Sequence, residues 1–139
     1  MPAIKVVDLP ELAGQSGRQR KMLMNGPRFH TWINVYLPGE MDELHCHNAD
    51  QTFFLVEGEC TLHFPDGGEQ VMKPGEIALM PGGQFYQLHN SGEDKMILLG
   101  ARGMSMEQSL KIDYETRKPF EYGGGGLKAD APRGTSILV

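Results

Sequence analysis

His45 and His47 are the residues of this 139-residue chain whose types and spacing point most directly to chemistry. Side chains two apart on a β-strand point the same way, about 6.6 Å apart. Two imidazoles so placed can converge on one divalent metal ion, with bonds of about 2.0–2.1 Å. The same dipeptide pattern also arises on an ordinary polar strand face, so the pair alone leaves both readings open. Cys46 lies between the histidines and therefore faces away from anything they bind. Further along are Gln51, whose neutral carbonyl oxygen can accept or ligate, and Tyr86, whose phenol can donate a hydrogen bond. Glu43 shares the parity of the histidine pair and could add a carboxylate; Asp50 has the opposite parity. His89, three residues from Tyr86, faces the other way on a regular strand and would need a bulge to join a common site.

These residues lie within a chain of short apolar segments cut by turns. Phe29 to Leu37 alternates strictly, with His30, Trp32, Asn34 and Tyr36 on one face, until Pro38-Gly39 stops it. That face would make an aromatic and polar wall if it lined a cavity; packing or a subunit interface, where Trp and Tyr are enriched, is the favoured expectation. Thr52 to Val56, Cys60 to Phe64, Gln70 to Met72, Ile77 to Met80, Phe85 to Leu88 and Met96 to Leu99 follow as further strands. Pro65-Asp66-Gly67-Gly68, Lys73-Pro74-Gly75, Pro81-Gly82-Gly83 and Asn90-Ser91-Gly92 separate them with turn chemistry. Many short strands at close spacing predict an all-β sandwich or barrel. Cys60 reads as core, the scattered methionines Met72, Met80 and Met96 as core or cavity lining, and His63 as exposed.

The ends differ in character. Residues 1–27 are expected to form an N-terminal arm with one short strand, residues 28–103 the barrel, and residues 104–139 a C-terminal extension. Ser105 and Gln108 have capping-box spacing for a helical turn, and Ile112 to Tyr114 can be extended. Gly123 to Gly126 and the apolar end Ile137-Leu138-Val139 suggest a tail that is mobile or laid along a partner subunit. Thirteen Lys and Arg against eighteen Asp and Glu give a formal net charge of −5, which argues against a nucleic acid or an anionic membrane as partner. The densest basic cluster, Arg18, Arg20 and Lys21, reads as a solvated segment. No apolar run is long enough for a transmembrane helix, and no signal peptide is visible after Met1. Two cysteines do not make a disulfide framework, so reduced thiols and a cytoplasmic location are expected.

The segment GEMDELHCHNADQTFFLVEG places Gly39, His45, His47, Gln51 and Gly58 at the spacing G-x5-H-x-H-x3-E-x6-G, with Gln51 where that pattern has Glu. The segment GEIALMPGGQFYQLHN places Gly75, Pro81, Gly83, Tyr86 and Asn90 at the spacing G-x5-P-x-G-x2-H-x3-N, with Tyr86 where that pattern has His. Over residues 39–90 the chain thus resembles the cupin superfamily, in particular its small single-domain bacterial members. The resemblance implies a cupin-type jelly-roll β-barrel, a double-stranded β-helix, assembled as a homodimer. It also implies a mononuclear divalent-metal site, with His45, His47 and Gln51 as ligands and Tyr86 as the catalytic group that orients or protonates a small-molecule substrate. Fe(II) is the expected ion, with Mn, Ni, Zn or Cu as alternatives. A neutral Gln leaves such an ion its full charge and favours an anionic substrate. The implied chemistry is a dioxygenase or other oxidoreductase reaction, with a metal-dependent isomerase or lyase as alternative. A non-catalytic small-molecule-binding cupin, in which Gln51 and Tyr86 mark a site that no longer holds metal, is the third reading.

Overall fold

The computed structural model describes residues 4–14, 17–121 and 135–139. A short helix, α1 (Leu9–Ala13), opens it: Asp8 caps the helix by accepting from the Glu11 amide at 2.9 Å, and Pro10 stands in the first turn. Eleven strands follow: β1 (Gln19–Asn25), β2 (His30–Tyr36), β3 (His45–His47), β4 (Gln51–Glu57), β5 (Cys60–His63) and β6 (Glu69–Met72). The others are β7 (Ile77–Met80), β8 (Gln87–Asn90), β9 (Met96–Arg102), β10 (Lys111–Asp113) and β11 (Ser136–Ile137). They form a six-stranded sheet in the order β11-β1-β2-β9-β4-β7, a three-stranded sheet β6-β5-β8, and the pair β10-β3, all antiparallel. Bridges from His45 to Tyr86 and from Met41 to His89 bring the segment around β3 against β8.

The sheets enclose a core of Trp32, Tyr36, Phe53, Leu55, Cys60, Leu62, Met72, Met80, Tyr86, Leu88, Met96 and Leu98. A second cluster lies on the outer side of the large sheet, where Ile33, Val35 and Ile97 pack with Leu23 and Ala13, supported by Leu9 and Leu12 of the helix and by Val139. Both faces of β2 are therefore buried: its even-numbered residues face the barrel interior and its odd ones the helix. The segment before residue 28 holds a helix as well as a strand, and β1 is hydrogen-bonded along β2. In the C-terminal stretch Ser105 caps nothing with its side chain, although a 3-10 turn does form at Met106–Gln108. Ile112 is extended, as its pattern allows, and β10 pairs with β3. Gly123 to Gly126 lie outside the described residues.

Two motif residues have plain structural duties. Gly58 has φ +86°, and a Cβ there would meet the Lys95 carbonyl oxygen at 2.6 Å, so the turn tolerates only glycine. Asn90 donates to the carbonyls of Tyr36 at 2.8 Å and Asp94 at 2.9 Å and accepts from the Gly92 amide at 3.0 Å, tying three segments together. Among the described residues no helix is long and apolar enough to cross a membrane.

Candidate functional site

Backbone pairing brings the site together. His45 and Tyr86 exchange both main-chain hydrogen bonds, at 3.0 and 2.8 Å, so their side chains rise from directly opposed positions. His47 follows on the same face of β3. The ring centroids of His45 and His47 are 4.9 Å apart, those of His45 and Tyr86 4.5 Å, and those of His47 and Tyr86 6.2 Å. His45 donates from Nδ1 to the Glu43 carbonyl at 2.5 Å, and His47 from Nδ1 to the Leu110 carbonyl at 3.0 Å. Each backbone acceptor fixes the proton on Nδ1 and leaves Nε2 as a lone pair. His45 Nε2 accepts from the Tyr86 hydroxyl at 3.2 Å. Burial depresses the His45 pKa to about 4 and that of His47 further still, with the nearby Arg102 charge adding to the effect. Both rings are neutral at pH 7. Burial raises the Tyr86 phenol above its usual range, so it remains protonated.

Arg102, at the end of β9, is the residue that organises the floor of the site. It is 3% exposed. Its Nε donates to Gln51 Oε1 at 3.1 Å; its Nη1 donates to Ser109 Oγ at 2.9 Å and to His30 Nε2 at 3.2 Å. The guanidinium lies 4.4 Å over the Trp32 ring and also engages the Tyr86 hydroxyl. His30 can accept because its own Nδ1 is held by the Met104 carbonyl at 2.7 Å and burial lowers its pKa to about 4. Desolvation lowers the Arg102 pKa to about 10, which leaves it charged at neutral pH.

Above this floor is a cavity of about 510 Å³. Trp32, Tyr36, Phe53 and Tyr86 form its aromatic walls, His45 and His47 one side, and Arg18, Arg20, Arg102 and Lys111 its cations. Arg20 lies 5.2 Å over Trp32 and Arg18 4.8 Å over Tyr36. Asp42 also lines it; its carboxylate accepts from the Leu88 amide at 2.7 Å, and burial raises its pKa to about 7.

A profile described as the cupin domain matches residues 32–101. The chain belongs to the cupin family. A vicilin-like seed storage protein of Arabidopsis thaliana is 32% identical over 75 residues, covering 52% of this chain and 14% of that protein. A gentisate 1,2-dioxygenase from a Streptomyces species is 26% identical over 120 residues, covering 79% of this chain and 32% of the dioxygenase. This cupin thus spans less than a third of the length of either relative. A solved structure from Klebsiella pneumoniae with a double-stranded β-helix domain superposes with TM-score 0.68 at 20% identity, covering 78% of this chain and 97% of that one. The shared architecture is the expected all-β jelly roll.

Cupins commonly bind a divalent metal, but the donors of this cupin do not fit one in the observed arrangement. His45 and His47 offer two neutral nitrogens. Gln51 Oε1 is taken by Arg102, while Gln51 Nε2 donates to Met80 Sδ at 3.4 Å. Tyr86 is a protonated phenol bound to His45 Nε2. Among the described residues the nearest carboxylate is Asp42, which lies 4.0 Å from His45 on its Nδ1 side, away from Nε2, and is held by the Leu88 amide, while a guanidinium already supplies a fixed positive charge beside both imidazoles.

The structure brings His45, His47 and Tyr86 into the lining of one cavity and places Gln51 beside them, outside that lining, against both Arg102 and Tyr86. Glu43 turns its carboxylate to Lys111 Nζ at 2.7 Å, and Asp50 accepts from the Gly82 amide at 2.9 Å. His89 hydrogen-bonds His63 at 3.0 Å in the three-stranded sheet, so His63 is half-buried instead of exposed. Two further expectations are extended by the structure. Trp32 and Tyr36 pack in the core, as the favoured expectation had it, and with Asn34 they also line the cavity, because α1 covers the other face of β2. Arg18 and Arg20 are solvent-exposed as expected and also line the cavity, while Lys21 donates to the Leu12 carbonyl at 3.0 Å. Arg102 and Asp42 were not singled out by the sequence at all. The signal for Arg102 is parity: it continues the inward series Met96, Leu98, Gly100.

Proposed function

We propose that this cupin is a binding protein for a small planar organic anion, such as an aromatic carboxylate, held in the barrel cavity. One observation carries the reading: four cationic side chains and four aromatic rings converge on a single cavity in a chain whose formal net charge is −5. The aromatic walls supply area for a flat ring, and the cations supply partners for its charge. Tyr86 gives its one hydroxyl hydrogen to His45, which is neutral and fixed by Glu43, and so holds its ring as a fixed part of the aromatic wall. The relatives named gentisate 1,2-dioxygenase support the same ligand class, since gentisate is a dihydroxybenzoate.

Trp32 is the one tryptophan of the chain and lines the cavity, so its fluorescence reports occupancy directly. Titration with gentisate, benzoate and 2-hydroxybenzoate should give saturable quenching with one site per chain. No response to any of the three at millimolar concentration overturns the reading.

A second reading is oxygen-dependent ring chemistry at a divalent ion held by His45, His47 and Gln51, favoured by the Nδ1 anchoring of both imidazoles and by the dioxygenase relatives. It requires Arg102 to release Gln51. Oxygen uptake with gentisate after anaerobic loading with Fe(II), abolished in a His45→Ala, His47→Ala variant, would select it over simple binding.

A further inference from the structure

We propose that Arg102 takes the place of the metal ion in this cupin: its guanidinium is the permanent cation at the cavity floor and receives the carboxylate of the bound anion. The proposal rests on the anion-binding reading and assigns the residue that performs it.

The argument starts from an imbalance. A buried guanidinium is costly unless an anion offsets it. Among the described residues, the ion pairs involve Asp42, Glu43, Glu59 and Glu69, and none of these reaches Arg102 within 4.0 Å. Its partners Gln51, Ser109, His30, Trp32 and Tyr86 are all uncharged. Gln51, Ser109 and His30 use Nε and both hydrogens of Nη1, which fixes the plane of the guanidinium; by elimination Nη2 serves Tyr86 with one hydrogen and keeps the other for the cavity that Arg102 lines. A charge that is held so rigidly, and has no counterion of its own, is arranged for one that arrives with the ligand.

The substitutions at the two motif positions fit this exchange. A glutamate at position 51 would pair with Arg102 and quench its charge; Gln51 orients the guanidinium through a neutral oxygen and leaves the charge available. A histidine at position 86 would set a third imidazole beside His45 and His47; Tyr86 instead gives its hydroxyl hydrogen to His45 Nε2 and accepts from Arg102, offering no third nitrogen to a metal. The guanidinium thus presents its remaining N–H to one carboxylate, much as a metal ion would have presented an open coordination position.

The test uses the full-length protein, with gentisate and its neutral amide as probes and Trp32 fluorescence as readout. Arg102→Met should weaken gentisate binding at least tenfold and change binding of the amide less than twofold. Arg102→Lys keeps the charge but cannot reach Gln51, Ser109 and His30 together, so an intermediate loss is expected; it also serves if the methionine variant fails to fold. Calorimetric titration with Mn²⁺ should show no stoichiometric uptake by the wild type and should show uptake by an Arg102→Met, Gln51→Glu variant, in which the fixed charge is gone and a carboxylate restored. Gentisate bound as tightly by both Arg102 variants as by the wild type overturns the proposal and leaves the anion-binding reading standing. One Mn²⁺ bound per wild-type chain likewise overturns it. A wild type that ignores gentisate removes the anion-binding reading, and the docking role of Arg102 falls with it.

Discussion

Burial of ionisable side chains around one cavity gives this cupin opposing responses to pH. His30 and His45 titrate near 4 in the folded state, and His47 lower still, against an ordinary value of 6.5. Between about pH 4 and 6.5 the unfolded chain binds more protons at these three rings, so stability rises with pH across that window. Asp42 acts in the opposite sense. Its folded pKa is about 7 against 3.8, so the folded chain binds the extra proton, and stability falls as pH rises from about 4 to 7. Three rings outweigh one carboxyl. The thermal midpoint, followed by circular dichroism, should therefore climb from pH 4 to about 6.5 and dip slightly towards 7. Asp42→Asn should steepen the climb and abolish the dip; an unchanged profile in that variant would show that Asp42 ionises freely in the folded protein. At this scale the sequence was informative where chemistry follows period two, as with His45, His47 and Tyr86. It was silent where a side chain's role depends on what crosses the barrel to meet it, as when Arg102 reaches Gln51, 51 residues earlier.

Strand β9 shows how one residue hides a site. Gly100 resembles a strand breaker, which is why the apolar pattern predicts an end at Leu99, yet β9 continues to Arg102. Gly100 pairs with Trp32 on one side and Phe53 on the other, and a Cβ there would overlap the Trp32 ring. The glycine is required so that the indole can lie flat over the strand and beneath the Arg102 guanidinium. The other strand predictions held to within a few residues because turn chemistry bounds them; Phe85 to Leu88 slipped to Gln87–Asn90, since Tyr86 pairs with His45 instead. Gly100→Ala should cost about 1–3 kcal/mol, the usual range for overpacking a core. It should also displace Trp32 from the guanidinium. Urea unfolding monitored by circular dichroism measures the first effect, and a shift in the Trp32 emission maximum the second. A variant with wild-type stability and emission would mean the indole has room to move.

For the molecule as a whole, charge is segregated. The chain carries a formal net charge of −5, yet Arg18, Arg20, Arg102 and Lys111 share one cavity. Lys111 is paired with Glu43, and Arg102 is buried, whereas Arg18 and Arg20 are exposed on β1 and the residue before it. The exposed pair can draw an organic anion through the field of an otherwise acidic surface, and the buried one can hold it. Salt acts on these contributions unequally, because exposed charges are screened over about 10 Å at 0.1 M while buried ones are screened much less. Gentisate affinity should therefore fall several-fold between about 20 and about 500 mM NaCl and then level off, with the plateau carried by Arg102. An Arg18→Ala, Arg20→Ala variant should start near the plateau and show a much flatter salt dependence, and the neutral amide should show none. Equal salt slopes for the wild type and that double variant would remove Arg18 and Arg20 from ligand capture. The same experiment thereby separates the attraction at the cavity mouth from the charge at its floor.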